Sequence, residues 1–569
     1  MLRRIRLVGQ PLGRIIQFYW AAAAPEQRRT ASVGLAVLIG LSIVSSAVLV
    51  GESLQRGEFI SALAARDPER FQQSLILFIG LLLSSALLLS ANAYVRDRLG
   101  LHWRQWLTRY LLTDYLGQRR FYWLAEELVG EIDNPDQRLS EDIKQVTQTS
   151  ALVLTILLES VTQLIGFIGV LLAVSWILTG FLVTYAVLGS AIATLFFGVR
   201  LTRINVEQLK REASFRYGLI DIRENCESIA FYQGQTYAKR DSRQRFRGVV
   251  QNFNRFIRWQ LGLDCFQNGY QFLTFIIPSL ILAPRILSGD LEVGAVVQSQ
   301  AAFDRIWLSL SLIVVQFEHL TRLAASIERL SEIIQSLDAL EQMPRTIQQC
   351  SQASVAVQRL TLHTSRADST EQTLVSDLSF SLNQGETLLI TGPSGVGKSS
   401  LIRAISGLWR TGGGTVYLPE SDTLFLPQQP YLVLGSLRQQ LLYPRADANL
   451  SDQHLRDALE QVQLADLTDL EQIEDWSQRL STGEQQRLAF ARLLLIQPTY
   501  AFLDEATSAV SVEQEQHLYK QLSLSATTYI SVGHRPSLLG FHQQVLTLLP
   551  NQRWTLQPAQ DYRFEVSYA

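Results

Sequence analysis

The hydrophobic pattern changes character once along the chain. Up to about residue 345, long uncharged stretches alternate with Arg-rich polar ones; beyond it, short apolar runs are separated by turn residues. No charged residue occurs from Ala31 to Gly51 or from Gln72 to Val95, and each stretch is long enough to cross a hydrocarbon core of about 30 Å as a helix. Forty uncharged residues from Ser160 to Val199 exceed one span and predict two helices joined by a hairpin near Thr179 and Gly180. A fifth span is expected from Cys265 to Pro284, with Pro278 inside it, as membrane helices allow. The sixth, about Val293 to Phe317, is interrupted by Asp304 and Arg305. Buried helices of a large soluble core are the competing reading, and the lack of a polar face over such lengths argues against it.

Charge orients these spans. The segments Arg96 to Lys144 and Arg200 to Arg258 are rich in Arg and Lys, so the positive-inside rule makes both loops cytoplasmic. Six spans then leave both chain ends on that side. Arg3, Arg4, Arg6 and Arg14 around the apolar Ile15 to Trp20 predict an amphipathic segment lying on the membrane surface. With 47% apolar and 18% charged residues the chain departs from soluble enzymes, where about 25% are charged. Lys and Arg number 50 against 52 Asp and Glu, so no broad basic surface recommends nucleic acid as a partner. Cys226, Cys265 and Cys350 suit neither a disulfide framework nor a zinc site.

Several polar features stand out in this half. Asn134-Pro135-Asp136 reads as a turn, with the side chain of Asp133 or Asn134 capping the helix that follows. Arg223 to Gly234, which includes Phe231 and Tyr232, reads as a polar helix end with an apolar tail. Glu159 within the third span and Asp304-Arg305 within the sixth are functional candidates, with pairing between helices left equally open. A charged helix from Leu320 to Leu340 is ended by Met343-Pro344, which sets two domains, 1–345 and 346–569.

The second half carries the recognisable chemistry. Gly392-Pro393-Ser394-Gly395-Val396-Gly397-Lys398-Ser399 fits the phosphate-loop pattern between a predicted strand, Glu386 to Thr391, and a helix opening at Ser400. Glycines let successive N–H groups face phosphate oxygens, Lys398 reaches the outer phosphates and the Ser399 hydroxyl suits Mg²⁺. A second apolar run, Thr499 to Leu503, delivers Asp504 for Mg²⁺ and Glu505 to polarise the attacking water.

Together with Leu480-Ser481-Thr482-Gly483-Glu484-Gln485, Gln428 in Leu426-Pro427-Gln428-Gln429-Pro430, and His534 in Gly533-His534-Arg535, these motifs resemble the ATP-binding cassette transporters. Within that family the match resembles most the peroxisomal fatty-acyl transporters and their bacterial relatives. Asn134-Pro135-Asp136-Gln137, Ser228 to Gly234, and Gly483 to Arg492 carry it.

The resemblance implies a six-helix, all-α, exporter-type transmembrane domain followed by an α/β nucleotide-binding domain. It implies that Gln428 touches Mg²⁺ and the water, that His534 contacts the γ-phosphate, and that Ser481, Gly483 and Glu484 meet ATP held by another subunit. One phosphate loop and one signature per chain then require a dimer, most simply a homodimer. Asn134, Pro135, Asp136, Phe231 and Tyr232 become coupling candidates. The implied function is ATP-driven transport of an amphipathic or organic solute, whether fatty acyl, peptide or vitamin-like, across a bacterial inner membrane with the nucleotide domain cytoplasmic. A membrane-anchored regulatory ATPase that moves no cargo is the alternative. Two positions depart from the family pattern: Ser511 stands where Asp is usual, and Leu360 to Ser365 holds no aromatic to stack adenine, leaving that part to His363 or to nothing.

Overall fold

The computed structural model describes residues 13, 19, 23–127, 134–310, 316–343, 346–364, 372–419, 422–445 and 450–564. It divides into two units, Met1–Arg120 with Gly130–Asp338, and Phe121–Val129 with Ala339–Ala569. Apart from Gly13 and Tyr19, the expected amino-terminal surface segment lies outside the described residues, as does Asp133.

Five helices of the first unit are long and apolar enough to span a membrane: α1 (Pro25–Ala65), α2 (Pro68–Leu116), α3 (Pro135–Val174), α4 (Trp176–Glu224) and α5 (Gln235–Leu287). The sixth predicted stretch falls on α6 (Gly294–Leu310), after which residues 311–315 lie outside the described residues and α7 (Phe317–Gln342) follows. At 1.5 Å per residue the 49 residues of α2 reach about 70 Å, more than twice the hydrocarbon thickness, so its charged half extends into water. Leu87, Ile165, Leu195 and Leu280 stand exposed on these helices, a surface that a bilayer covers.

The break between the third and fourth helices is at Ser175, not at Thr179-Gly180. Ser175 leaves helical geometry (φ −167°, ψ 124°), and its hydroxyl accepts the Leu178 N–H at 3.4 Å as a cap. Thr179 and Gly180 lie inside the following helix, because a capping Ser stops a helix more firmly than a Gly within an apolar run. Phe167, Leu171, Leu178, Leu182, Phe303 and Ile306 form the buried centre of this unit.

The second unit is an α/β layer fold. Its six-stranded sheet runs β12-β11-β4-β10-β9-β6, and a four-stranded sheet runs β1-β5-β2-β3. The strands are β1 (Gln348–Ser351), β2 (Val355–His363), β3 (Thr373–Leu382), β4 (Leu388–Thr391), β5 (Gly412–Leu418) and β6 (Thr423–Leu426). A small pair, β7 (Gly435–Ser436) with β8 (Ile473–Glu474), precedes β9 (Tyr500–Asp504), β10 (Thr528–Val532), β11 (Gln544–Leu548) and the antiparallel edge strand β12 (Trp554–Pro558). Strands β4, β9 and β10 are buried along almost their whole length, as expected of parallel strands covered on both faces. The helices that matter for the site are α8 (Lys398–Ile405), α9 (Thr482–Ile496) and α10 (Val512–Ser523).

Candidate nucleotide site

Parallel pairing brings the motifs to one edge of the large sheet. Val532 lies level with Ile390 of β4 and Asp504 of β9, and Leu426 of β6 lies level with Leu503. The residues just past those strand ends are therefore neighbours: the phosphate loop, Glu505, His534 and Gln428. Ligands of open α/β sheets bind at this carboxyl edge.

The loop between β4 and α8 needs its glycines. Gly392 adopts φ +140°, and a Cβ there would collide with the backbone oxygen of Leu548. Gly397 caps α8 at φ +105°. Among the residues of this loop, Pro393, Ser394, Gly395 and Val396 form one wall of a cavity of about 340 Å³, opposite Thr373, Leu374, Asn551 and Gln552.

The buried Lys398 donates from Nζ to the carbonyl oxygens of Gly392 and Pro393, each at 2.9 Å, so its ammonium is held against the loop. Burial lowers its pKa, with Glu505 and Asp504 opposing. Ser399, next on the helix, donates its hydroxyl to Asp504 Oδ1 at 3.1 Å, while Ser400 follows in the same turn. Burial raises the Asp504 pKa, partly offset by the Ser399 bond. Glu505 has φ +47°, a left-handed conformation uncommon for a side chain with a Cβ and costing of order 1–3 kcal/mol, and its Oε2 accepts from Gln428 Nε2 at 3.2 Å. Hydroxyl, carboxylate and amide oxygens from Ser399, Asp504 and Gln428 are the hard donors that suit Mg²⁺. His534 stands exposed one residue past Gly533, whose N–H bonds Ile390 O at 3.1 Å.

Ser481 and Glu484 form a reciprocal cap at the start of α9. The Glu484 carboxylate accepts from the Ser481 N–H at 2.8 Å and its hydroxyl at 2.7 Å, which lowers the Glu484 pKa. Gly483 has no room for a side chain, since a Cβ would lie 2.8 Å from Ala509 O.

Two residues that motif spacing did not single out tie the site together. Gln486, almost fully buried, donates to Gln428 O at 3.0 Å and Ser508 Oγ at 3.1 Å, and accepts the Ala509 N–H at 2.9 Å. Arg535 donates to Ser508 O at 3.0 Å and Val510 O at 2.9 Å, and pairs with Glu515 at 3.5 Å. In the sequence they stood inside quoted motif strings, Gly483 to Arg492 and Gly533-His534-Arg535, with no role assigned to them. Ser511, the residue in place of Asp, caps α10 by accepting the Gln514 N–H at 3.2 Å, a task Ser performs as well as Asp. The His363 ring lies 3.2 Å from the Thr373 hydroxyl, which lines the cavity, and residues 365–371 lie outside the described residues.

In the helical unit, Asn134 starts α3 from a left-handed conformation (φ 43°, ψ 63°) and makes no side-chain cap. The expected Asx cap is therefore replaced by backbone geometry, with Pro135 in the first turn and Asp136 beside it. Behind it Arg138 bonds Glu332 at 2.9 Å, and Asp142 accepts from Ser326 and Arg329. Phe231 and Tyr232, at the tip between α4 and α5, are 80% and 87% exposed. Glu159 accepts from Asn92 Nδ2 at 2.6 Å and so links α3 to α2. Asp304 and Arg305 instead line a cavity. The second unit retains the segment from Phe121, whose buried Trp123 ring lies 4.0 Å from the Arg410 guanidinium carbon.

Comparison with known proteins places the chain in a family. Residues 21–287 match the family model described as ABC transporter transmembrane region 2, and 375–508 match the model described as ABC transporter. An uncharacterized ABC transporter ATP-binding protein of Synechocystis is 42% identical over 549 residues, 94% of this chain and 82% of the relative. ABC transporter D family member 2, chloroplastic, of Arabidopsis thaliana is 36% identical over 93% of this chain and 84% of its own length. The lysosomal cobalamin transporter of Homo sapiens is 30% identical over 91% and 92%.

Proposed function

The chain belongs to the ATP-binding cassette transporters, as a multi-pass membrane half-transporter that binds ATP and couples its hydrolysis to transport, and on that premise we propose how its residues divide the work. Lys398 and the loop N–H groups from Gly392 to Ser400 hold the phosphates, and Glu505 polarises the attacking water. Gln428 and His534 fix that water and the γ-phosphate. This reading is carried by one observation, the meeting of the phosphate loop, Asp504-Glu505 and Gln428 at a single sheet edge, with Ser399 bonded to Asp504 and Gln428 to Glu505. Bound Mg²⁺, held by Ser399, Asp504 and Gln428, would supply charge neutralisation during phosphoryl transfer.

Ser481, Gly483 and Glu484 begin a different helix from the one behind the phosphate loop. In our reading they complete the site of a second copy, so the working unit is a homodimer with two shared sites. Its domains are 1–345, with six spans, and 346–569. Asn134, Pro135, Asp136, Phe231 and Tyr232 couple nucleotide-domain closure to the spans, and the exposure of the aromatic pair supports that part. Trp123 joins this set through its contact with Arg410. The Arg-rich loops support a bacterial plasma membrane orientation with the nucleotide domain cytoplasmic.

The cargo is an organic solute, and the name of one relative, a cobalamin transporter, supports that class. Reconstituted vesicles test the reading: ATP hydrolysis should rise when a transported solute is present. Hydrolysis indifferent to every solute and altered only by an added protein would contradict it.

A further inference from the structure

The helical unit contains a cavity of about 530 Å³, within the range of about 300–1,000 Å³ usual for small-molecule sites. Its charged lining comes from two helices. Glu52 and Arg56 lie one turn apart on α1, directly after its uncharged stretch, and Asp304 and Arg305 lie on α6. Asn268 adds an amide from α5.

Among the described residues, no hydrogen bond or ion pair occupies the charged side chains of Glu52, Arg56, Asp304 or Arg305, although both guanidinium groups act electrostatically on the Asp304 carboxyl. Asp304 Oδ1 is buried without a hydrogen-bond partner. Ser53, 6% exposed, presents a buried Oγ with no partner to the same space. Glu159 makes the contrast, since its carboxylate already has Asn92. Charges in a spanning segment are costly unless they are paired, and here the opposite charges face one cavity without closing a hydrogen bond or ion pair between them.

We propose that this cavity between α1, α5 and α6 is the cargo site, and that it takes a small zwitterion of the amino-acid or short-peptide class. The proposal rests on the transporter reading above. Two carboxylates and two guanidinium groups cancel, which disfavours a cargo of large net charge. An ammonium group is matched by Glu52 and Asp304, and a carboxylate by the planar donor forks of Arg56 and Arg305. Ser53 and Asn268 offer hydrogen bonds to a peptide amide. A long acyl chain would leave all these polar groups unpaired, the arrangement that discriminates hardest against a wrong ligand.

The test uses the full chain in phospholipid vesicles with three probes: an equimolar mixture of amino acids and alanyl dipeptides, the N-acetylated amides of those dipeptides, and palmitoyl-CoA. Only the zwitterionic mixture should raise ATP hydrolysis severalfold and be moved across the bilayer. Asp304→Asn and Arg56→Gln should each raise the concentration for half-maximal stimulation at least tenfold, with Asp304→Glu milder. Ser53→Ala, which deletes one hydroxyl from a helix that tolerates Ala, gives an independent reading if the charge variants fail to fold, and should raise it about threefold. Stimulation by palmitoyl-CoA alone, equal stimulation by the blocked amides, or half-maximal concentrations unchanged in the variants overturns the zwitterion assignment and leaves transport standing. No stimulation by any probe also overturns the zwitterion assignment, whereas the transport reading itself falls only if hydrolysis answers no solute and is altered by an added protein alone.

Discussion

In the nucleotide site each of the charged groups Lys398, Asp504, Glu505 and Glu484 already holds a hydrogen bond from its own chain, whereas in the membrane cavity Glu52, Arg56, Asp304 and Arg305 hold none among the described residues. Both regions recognise charge, but they treat it differently. A site that stabilises one transition state gains from groups fixed before the ligand arrives, since no reorganisation is then needed. A site that must bind cargo and release it gains from groups whose partner is the cargo, so that affinity changes when the walls move.

Breaking the fixed site should have the largest effect. Glu505→Gln keeps the size of the side chain and removes its charge; hydrolysis should fall about 10²–10⁴-fold with ATP binding retained, measured by single-turnover assay beside nucleotide binding. A rate within a few fold of native would remove Glu505 from its assigned part.

The second prediction concerns the rigidity of the sheet behind that site. His542 is buried, its Nδ1–H donating to Leu538 O at 2.8 Å and its Nε2 accepting from the Ser531 hydroxyl at 2.9 Å. Burial pushes its pKa down to about 4, below the ordinary value of about 6.5. The unfolded chain thus takes up a proton that the folded domain refuses. This contribution is complete above about pH 6.5 and is lost as pH falls toward 4, by about 3 kcal/mol. Unfolding of the nucleotide domain followed across that range should show the loss, and His542→Gln should flatten it; equal slopes for both proteins would reject this role.

Gln486→Ala ranks third. It removes the donor to Gln428 O and the acceptor of the Ala509 N–H, part-buried bonds worth about 0.5–1.5 kcal/mol each, and hydrolysis should fall about tenfold. Loss of stability with an unchanged kcat would make Gln486 structural only. The smallest effect is expected at Glu159→Gln, which keeps an oxygen to accept from Asn92 and should shift thermal stability by less than about 1 kcal/mol. A larger shift would mean that its charge, like those of the cavity, is in use.

The same contrast explains what the chain disclosed before its structure. Phosphate chemistry dictates a local spacing, so Gly392 to Ser399, Ser481 to Glu484 and Asp504-Glu505 were readable as strings, and β4 and α8 fell where the flanking pattern put them. Gln486 and Arg535 were not readable, because their partners at 428, 508 and 510 meet them only through sheet topology. The uncharged stretches revealed five spans, but the break at Ser175 was misplaced because a cap depends on one hydroxyl that hydropathy ignores. Asp304 and Arg305 were visible as charges interrupting the sixth apolar stretch. Glu52 and Arg56 were not, since charges at the end of an apolar stretch look like ordinary borders until α1 and α6 set them across one cavity.

The account depends most on each ATP site being shared between two copies. Lys398→Ala and Ser481→Arg chains, each inactive alone, can be coexpressed with different tags and the mixed dimer purified through both. One site of that dimer then joins an intact phosphate loop to an intact signature. The account predicts that hydrolysis returns, to about half the native rate. A mixed dimer as inactive as either parent would contradict it.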